Sequence, residues 1–166
     1  MLYSQNDREI VAAELGHRRR LVILPALALL LLAIASYVWF HLHRDEGGWI
    51  WTALLTVAAG AYFLFFYEVY LRPVQLYARH VGYMLDGRKR ETVGRVKEIR
   101  REIMDREGLD CQSFTVNIGE KDDPEDDRLF YVDALKGMPD IQPGARVRVF
   151  SNDRAVAGLE ILTGEC

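Results

Sequence analysis

The chain has 166 residues with a net charge of −3; half of them are hydrophobic and only two are cysteines. So few cysteines exclude a disulfide-built scaffold, and Cys111 and Cys166 are expected as free thiols in a cytoplasmic domain. The mild overall charge conceals a gradient: basic residues dominate from Arg72 to Arg106 and acidic ones from Glu107 to Cys166, which argues against a nucleic-acid partner.

Residues 1–20 end in Arg18, Arg19 and Arg20. Within them Ser4 to Gly16 have the spacing of a short amphipathic helix, with Ile10, Val11 and Leu15 opposite Asp7, Glu9 and Glu14. This helix is expected to lie at the membrane surface or to run straight into the apolar stretch after it. From Leu21 to His43 there is no formal charge; RDEGG interrupts, and the chain is uncharged again up to Glu68. Each arm holds roughly 20 apolar residues, enough at about 1.5 Å per residue to cross a hydrocarbon core about 30 Å thick. The pattern predicts a transmembrane helical hairpin over 21–71, with spans at about 21–43 and 49–71. The lipid bilayer is thus the first expected partner.

Lysine and arginine mark the cytoplasmic side of a membrane protein. Arg18, Arg19 and Arg20 precede the first span, and Arg72, Arg79, Arg88, Lys89 and Arg90 follow the second. The turn offers only Arg44, beside Asp45 and Glu46. Both termini are therefore expected in the cytoplasm of a multi-pass inner-membrane protein. Trp39, Trp49 and Trp51 fall at the outer rim, and Tyr67, Tyr70 and Tyr77 at the inner one, as aromatic belts. A competing reading is a signal peptide cleaved after Ala33-Ile34-Ala35, but the apolar run continues through Phe40 and is long enough to span.

Several residues in the hairpin invite a functional reading and also have a plainer one. Thr52, Thr56 and Gly60 recur at i, i+4 and i+8, a small-residue stripe suited to packing against the first span. Glu68 is an acidic residue at an otherwise apolar edge, and an i,i+4 pair with Arg72 accounts for it. His41, His43, Asp45 and Glu46 carry metal-binding chemistry, yet residues two apart on a helix point away from one another. Pro25 lies near the start of the span, where a helix tolerates it.

Residues 72–90 read as a helical stalk through Val74, Tyr77, Val81 and Leu85, ending at Gly87, with Arg88, Lys89 and Arg90 placed to meet anionic lipid. From Glu91 the period becomes alternating. ETVGRVKEI reads as a strand bent near Gly94, and RREIMDREGLD fits either a helical turn or a strand with a hairpin. QSFTVNI, RLFYVDAL, ARVRVFS and AVAGLEIL read as further strands. Four to six short strands without a long helix predict an OB-like or SH3-like β-barrel over 91–166. The fold class is therefore membrane α plus small all-β.

The pattern Gly94-Arg95-Val96 followed by Ile141-Gln142-Pro143-Gly144-Ala145-Arg146-Val147-Arg148-Val149 loosely resembles the membrane-attached OB domains of NfeD-like proteins. It covers about half the chain; the long insertion between the first strands and the acidic loop depart from that family. The resemblance implies an OB-type fold more than a biochemical role.

The acidic run Asp122, Asp123, Glu125, Asp126 and Asp127 has oxygen ligands but no EF-hand spacing, and it reads as a solvated hairpin tip. Phosphate-binding loops, nucleophile elbows and zinc-protease motifs are absent from the sequence. His80 falls on the stalk, leaving Cys111 without an evident imidazole in the barrel. Asp133 interrupts an apolar strand, where it either binds something or faces water. No catalytic residue, cofactor or metal is expected. The leading expectation is a non-catalytic interaction or assembly module working as a homo-oligomer or with a partner membrane protein. The alternative is a membrane sensor whose barrel binds a small anionic ligand.

Overall fold

The computed structural model describes residues 1–43, 47–119 and 123–162. Arg44, Asp45, Glu46, Asp122 and Cys166 therefore lie outside the described residues. The chain forms two compact units, one of Ile10–Gln75 and the other of Met1–Glu9 with Leu76–Cys166.

The hairpin unit holds most of helix α1 (Gln5–Leu42) and all of α2 (Gly48–Phe66). The short amphipathic helix does run straight into the first span, since α1 is continuous across both. A capping box starts it: Ser4 N donates to Asp7 Oδ2 at 2.8 Å, and Asp7 N donates to Ser4 Oγ at 3.3 Å. Two helices here are long and apolar enough to cross a membrane. Only 11% and 6% of their most apolar stretches are buried within the protein, where the core helix of a soluble protein would be mostly buried. Leu24, Leu31, Trp39, Trp49, Trp51, Val57 and Leu64 are all more than half exposed, which suits lipid and not water.

After α2 the helix widens into one π-turn, Tyr67–Leu71, before α3 (Arg72–Asp86) resumes the α-helical pitch. A π-turn displaces backbone groups from the regular ladder. Here the Tyr70 carbonyl accepts from Arg18 Nη1 at 3.2 Å, and the Arg18 guanidinium lies 4.5 Å from the centre of the Tyr70 ring. Helix α3 ends at Gly87, as the spacing predicts, but without a left-handed backbone. The Asn152 amide and the Tyr83 carbonyl occupy the space a Cβ at Gly87 would need.

The other unit is a five-strand mixed sheet: β1 (Arg90–Arg106), β2 (Leu109–Asn117), β3 (Asp127–Asp133), β4 (Arg146–Asn152) and β5 (Ala155–Ile161). Its order is β1-β2-β3-β5-β4, and only the β3–β5 pairing, at Tyr131 and Ala155, is parallel. The strands are not all short. β1 has 17 residues, and RREIMDREGLD is strand up to Arg106, then a two-residue turn into β2. Glu107 (φ 57°) and Gly108 (φ 80°) supply the left-handed backbone that a tight hairpin turn requires.

The length of β1 has a structural use. Arg90–Arg95 pair with β4, while Arg95–Arg106 pair with β2, so one strand edges both ends of the order. Such a strand must bend, and its register breaks between Val96 and Glu98, two residues beyond Gly94. Gly94 is needed for close approach: a Cβ there would sit 2.3 Å from the Asn117 carbonyl oxygen. Alternate residues of the strands turn inward as Val96, Phe114, Val116, Phe130, Val132, Val147, Val149 and Val156, joined by Ile141. Phe114 and Phe130 are directly opposed, with ring centres 5.8 Å apart. Each such burial stabilises the fold by about 1.5–3 kcal/mol. Ile118, next in the β2 alternation, is 41% exposed and falls outside this core.

Candidate functional site

The first 9 residues belong to the sheet domain, although nothing in their own pattern announces it. Leu2 N donates to the Ala157 carbonyl at 2.9 Å, and Tyr3 is buried. The Tyr3 hydroxyl lies 3.0 Å from His80 Nε2 and 3.3 Å from Asp133 Oδ2. One hydroxyl proton cannot serve both neighbours. All three groups are satisfied when His80 Nε2–H donates to Tyr3 and Tyr3 donates to Asp133. Tyr77 also bonds the Asp133 side chain, and Leu135 N donates to its Oδ1 at 2.9 Å. Asp133 is thus buried and fully engaged and does not face water. Farther along this N-terminal strap, Lys136 Nζ donates to Asp7 Oδ1 at 2.7 Å.

These groups lie outside the apolar spans, and their proton affinities follow their surroundings. Burial, reinforced by the Asp133 carboxylate, pushes the Tyr3 and Tyr77 phenols well above their ordinary range. Burial holds His80 below its usual value; Asp133 opposes this and Arg106 adds to it. The Lys136 and Ser4 hydrogen bonds pull Asp7 down to about 2.

His80, Arg106, Cys111, Tyr131 and Asp133 line one cavity of about 240 Å³. His80 thus shares a cavity with Cys111, contrary to the expectation that the stalk kept them apart. The chemistry is nevertheless wrong for a nucleophile. Burial and the Asp133 carboxylate raise the Cys111 thiol while His80 is depressed, so the thiolate–imidazolium form is disfavoured on both sides. Arg106 stacks on Tyr131 at 4.1 Å and donates to the Asp153 carbonyl at 3.0 Å.

A second concavity, of about 610 Å³, is lined by residues of β1, β3 and β4 and the β4–β5 turn, among them Thr92, Leu129, Phe130 and Ser151. Arg88 lines it from the loop after α3, Arg90 from the start of β1, Arg128 from β3 and Arg154 from the β4–β5 turn. Of the sequence-predicted interface residues, Arg88 and Arg90 therefore meet in this cleft; Lys89 is exposed but does not line it. Sequence reasoning misses Arg128 and Arg154, because only the closure of the sheet brings them to Arg88 and Arg90.

The remaining predicted positions distribute along the hairpin. Arg18 joins Tyr70 as described, while Arg19 and Arg20 are exposed. Arg72 forms the expected ion pair with Glu68. Trp39 stacks on His43 at 4.2 Å, and Trp49 and Trp51 are exposed. Thr52 meets Ser36 of the first span, Oγ1 to Oγ at 3.3 Å. Thr56 and Gly60 line an apolar groove with Ile23, Ala26 and Leu27. Among the described residues no cluster of metal-ligating side chains occurs. In the acidic loop, Asp123 Oδ1 caps Glu125 N at 3.0 Å, and Asp127 Oδ1 accepts from Asn117 at 2.7 Å. No family model, curated protein or solved structure matches this chain.

Proposed function

We propose that this is a two-span membrane protein that holds an OB-type β-barrel on the cytoplasmic side as an interaction and assembly module, not as an enzyme. The observation that carries this reading is the division of the chain: Met1–Glu9 and Leu76–Cys166 form one unit, and the apolar hairpin is the insert between them. A domain built from residues before and after the hairpin needs both on one face of the membrane. That requires an even number of spans and the whole N-terminus, so it favours two spans over signal-peptide cleavage. The arginines flanking both spans then favour the cytoplasmic face. An order of β1-β2-β3-β5-β4 with β1 shared between β2 and β4 supports the OB-type barrel over an SH3-like one. The chain passes between hairpin and domain twice, within helix α1 and at α3, which suits presentation of the domain at the membrane to a second copy or a partner membrane protein.

Sided labelling tests the topology. Single cysteines at Gln5 and Leu135, in a background lacking Cys111 and Cys166, should react from the same face, and one at Gly47 from the other. Labelling of Gln5 and Leu135 from opposite faces refutes the model. Crosslinking in native membranes tests the assembly role, and discrete oligomers or a single co-purifying membrane protein are expected. A monomer without a partner overturns that role.

A further inference from the structure

We infer that the arginine cleft is a binding site for a phosphate-bearing small ligand. Arg88, Arg90, Arg128 and Arg154 line it, and none of the four pairs with a carboxylate among the described residues. Arg128 reaches only the backbone carbonyls of Glu125 and Asp127, at 3.0 and 3.1 Å. The carboxylate that lines the cleft, Asp153, faces Arg106 at 3.7 Å. Other arginines of this domain do find carboxylates: Arg148 is paired with Glu91 and Glu160, and Arg100 with Glu98. Four arginines lining one cleft, none held in an ion pair among the described residues and only Arg128 with a carboxylate, Asp127, acting on it, point to an anion outside a chain of net negative charge.

The adjoining surface carries the same signal independently. Arg95 of β1 and Arg146 of β4 stand directly opposite each other, and neither pairs with a carboxylate among the described residues. Like charges in that position destabilise a sheet unless an anion relieves them. Both line a cleft that shares Ile118 with the first. The planar fork of arginine matches phosphate oxygens in pairs, and the 610 Å³ volume is that of a site for a nucleotide-sized molecule. Ile118 and Leu129 supply an apolar wall beside the charges. A lipid headgroup and a free nucleotide or pyrophosphate share this chemistry.

The full chain, purified in dodecyl maltoside, is titrated with inorganic pyrophosphate, with ATP, and with short-chain phosphatidylglycerol against phosphatidylcholine. A phosphate ligand should raise the unfolding midpoint and bind less tightly as salt rises. Arg128→Gln with Arg154→Gln should weaken it at least tenfold. Arg101→Gln, an exposed arginine outside the cleft, should leave it unchanged. Arg88→Gln, in the loop after α3, serves as the second variant should the double one shift the unliganded midpoint. Tighter binding of pyrophosphate or ATP assigns a soluble ligand; tighter binding of phosphatidylglycerol assigns a lipid headgroup. The inference is overturned if wild type binds none of these, if the cleft variants bind like wild type, or if Arg101→Gln costs as much. Tighter binding of a single-stranded oligonucleotide than of pyrophosphate also overturns it.

Discussion

Tyr3→Phe removes one oxygen from the N-terminal strap and leaves its packing intact. The lost hydroxyl serves two partners, half-buried His80 at 3.0 Å and buried Asp133 at 3.3 Å. Asp133 keeps Tyr77 and the Leu135 amide, whereas the His80 Nε2–H loses its acceptor in a half-buried setting. A hydrogen bond to a charged group contributes about 1.5–3 kcal/mol, and the half-buried donor left without its acceptor adds to the loss, so the variant should cost about 2 kcal/mol. For a domain of this size that lowers the thermal midpoint by roughly 10 °C. If the strap opens alone, trypsin cleavage after Arg8 should accelerate at least roughly tenfold, since about 1.4 kcal/mol is a factor of ten in an opening equilibrium. Thermal unfolding and timed proteolysis of the full chain in detergent read both outcomes. A variant within about 0.5 kcal/mol of wild type, cleaved at the wild-type rate, would refute the claim that the Tyr3 hydroxyl fastens the strap.

Stability should also depend on the protonation of His80. Its folded-state affinity for a proton is depressed, by burial first, with Asp133 and Glu107 opposing and Arg106 assisting. The unfolded chain therefore binds a proton first as pH falls, so stability is full above about 6.5 and declines below it. Denaturant titrations between pH 7 and pH 5 should show that slope, and His80→Gln should flatten it. Gly94→Ala drives a Cβ into the Asn117 backbone and should cost about 1–3 kcal/mol by chemical denaturation; a neutral result would mean that β1 can bend elsewhere. Glu107→Asn places Asn-Gly in a turn whose first residue has φ 57° and should stabilise the domain by about 0.5–1 kcal/mol, whereas a loss would show that the Glu107 side chain contributes more than its backbone costs.

The residues legible in advance were those whose signal is local. β2 and β4 announce themselves by alternation in QSFTVNI and ARVRVFS, because one face of each meets the core. The second half of β1 did not, since Arg100, Arg101, Glu102 and Ile103 are all exposed and leave no inward face to read. Asp133 was ambiguous for the opposite reason: in a strand buried on both faces at its end, alternation no longer tells which side is wet. Its partners, Tyr3 and Tyr77, lie 130 and 56 positions away along the chain, and no periodicity connects them.

The two apolar stretches, the amphipathic start of α1, the ion pair of Glu68 with Arg72 and most of the strands could be read from the sequence. Each follows from residues within one or two turns of each other, where propensity, hydropathy and i,i+4 spacing act directly. Only the tertiary structure decided that the first residues complete the sheet domain, that His80 meets Asp133, and that Arg128 and Arg154 from the acidic half converge on Arg88 and Arg90. Those pairings depend on β1 edging both β2 and β4, with its register break after Val96, and a long-range arrangement of that kind is set by the packing of the whole core and not by any stretch of chain within it.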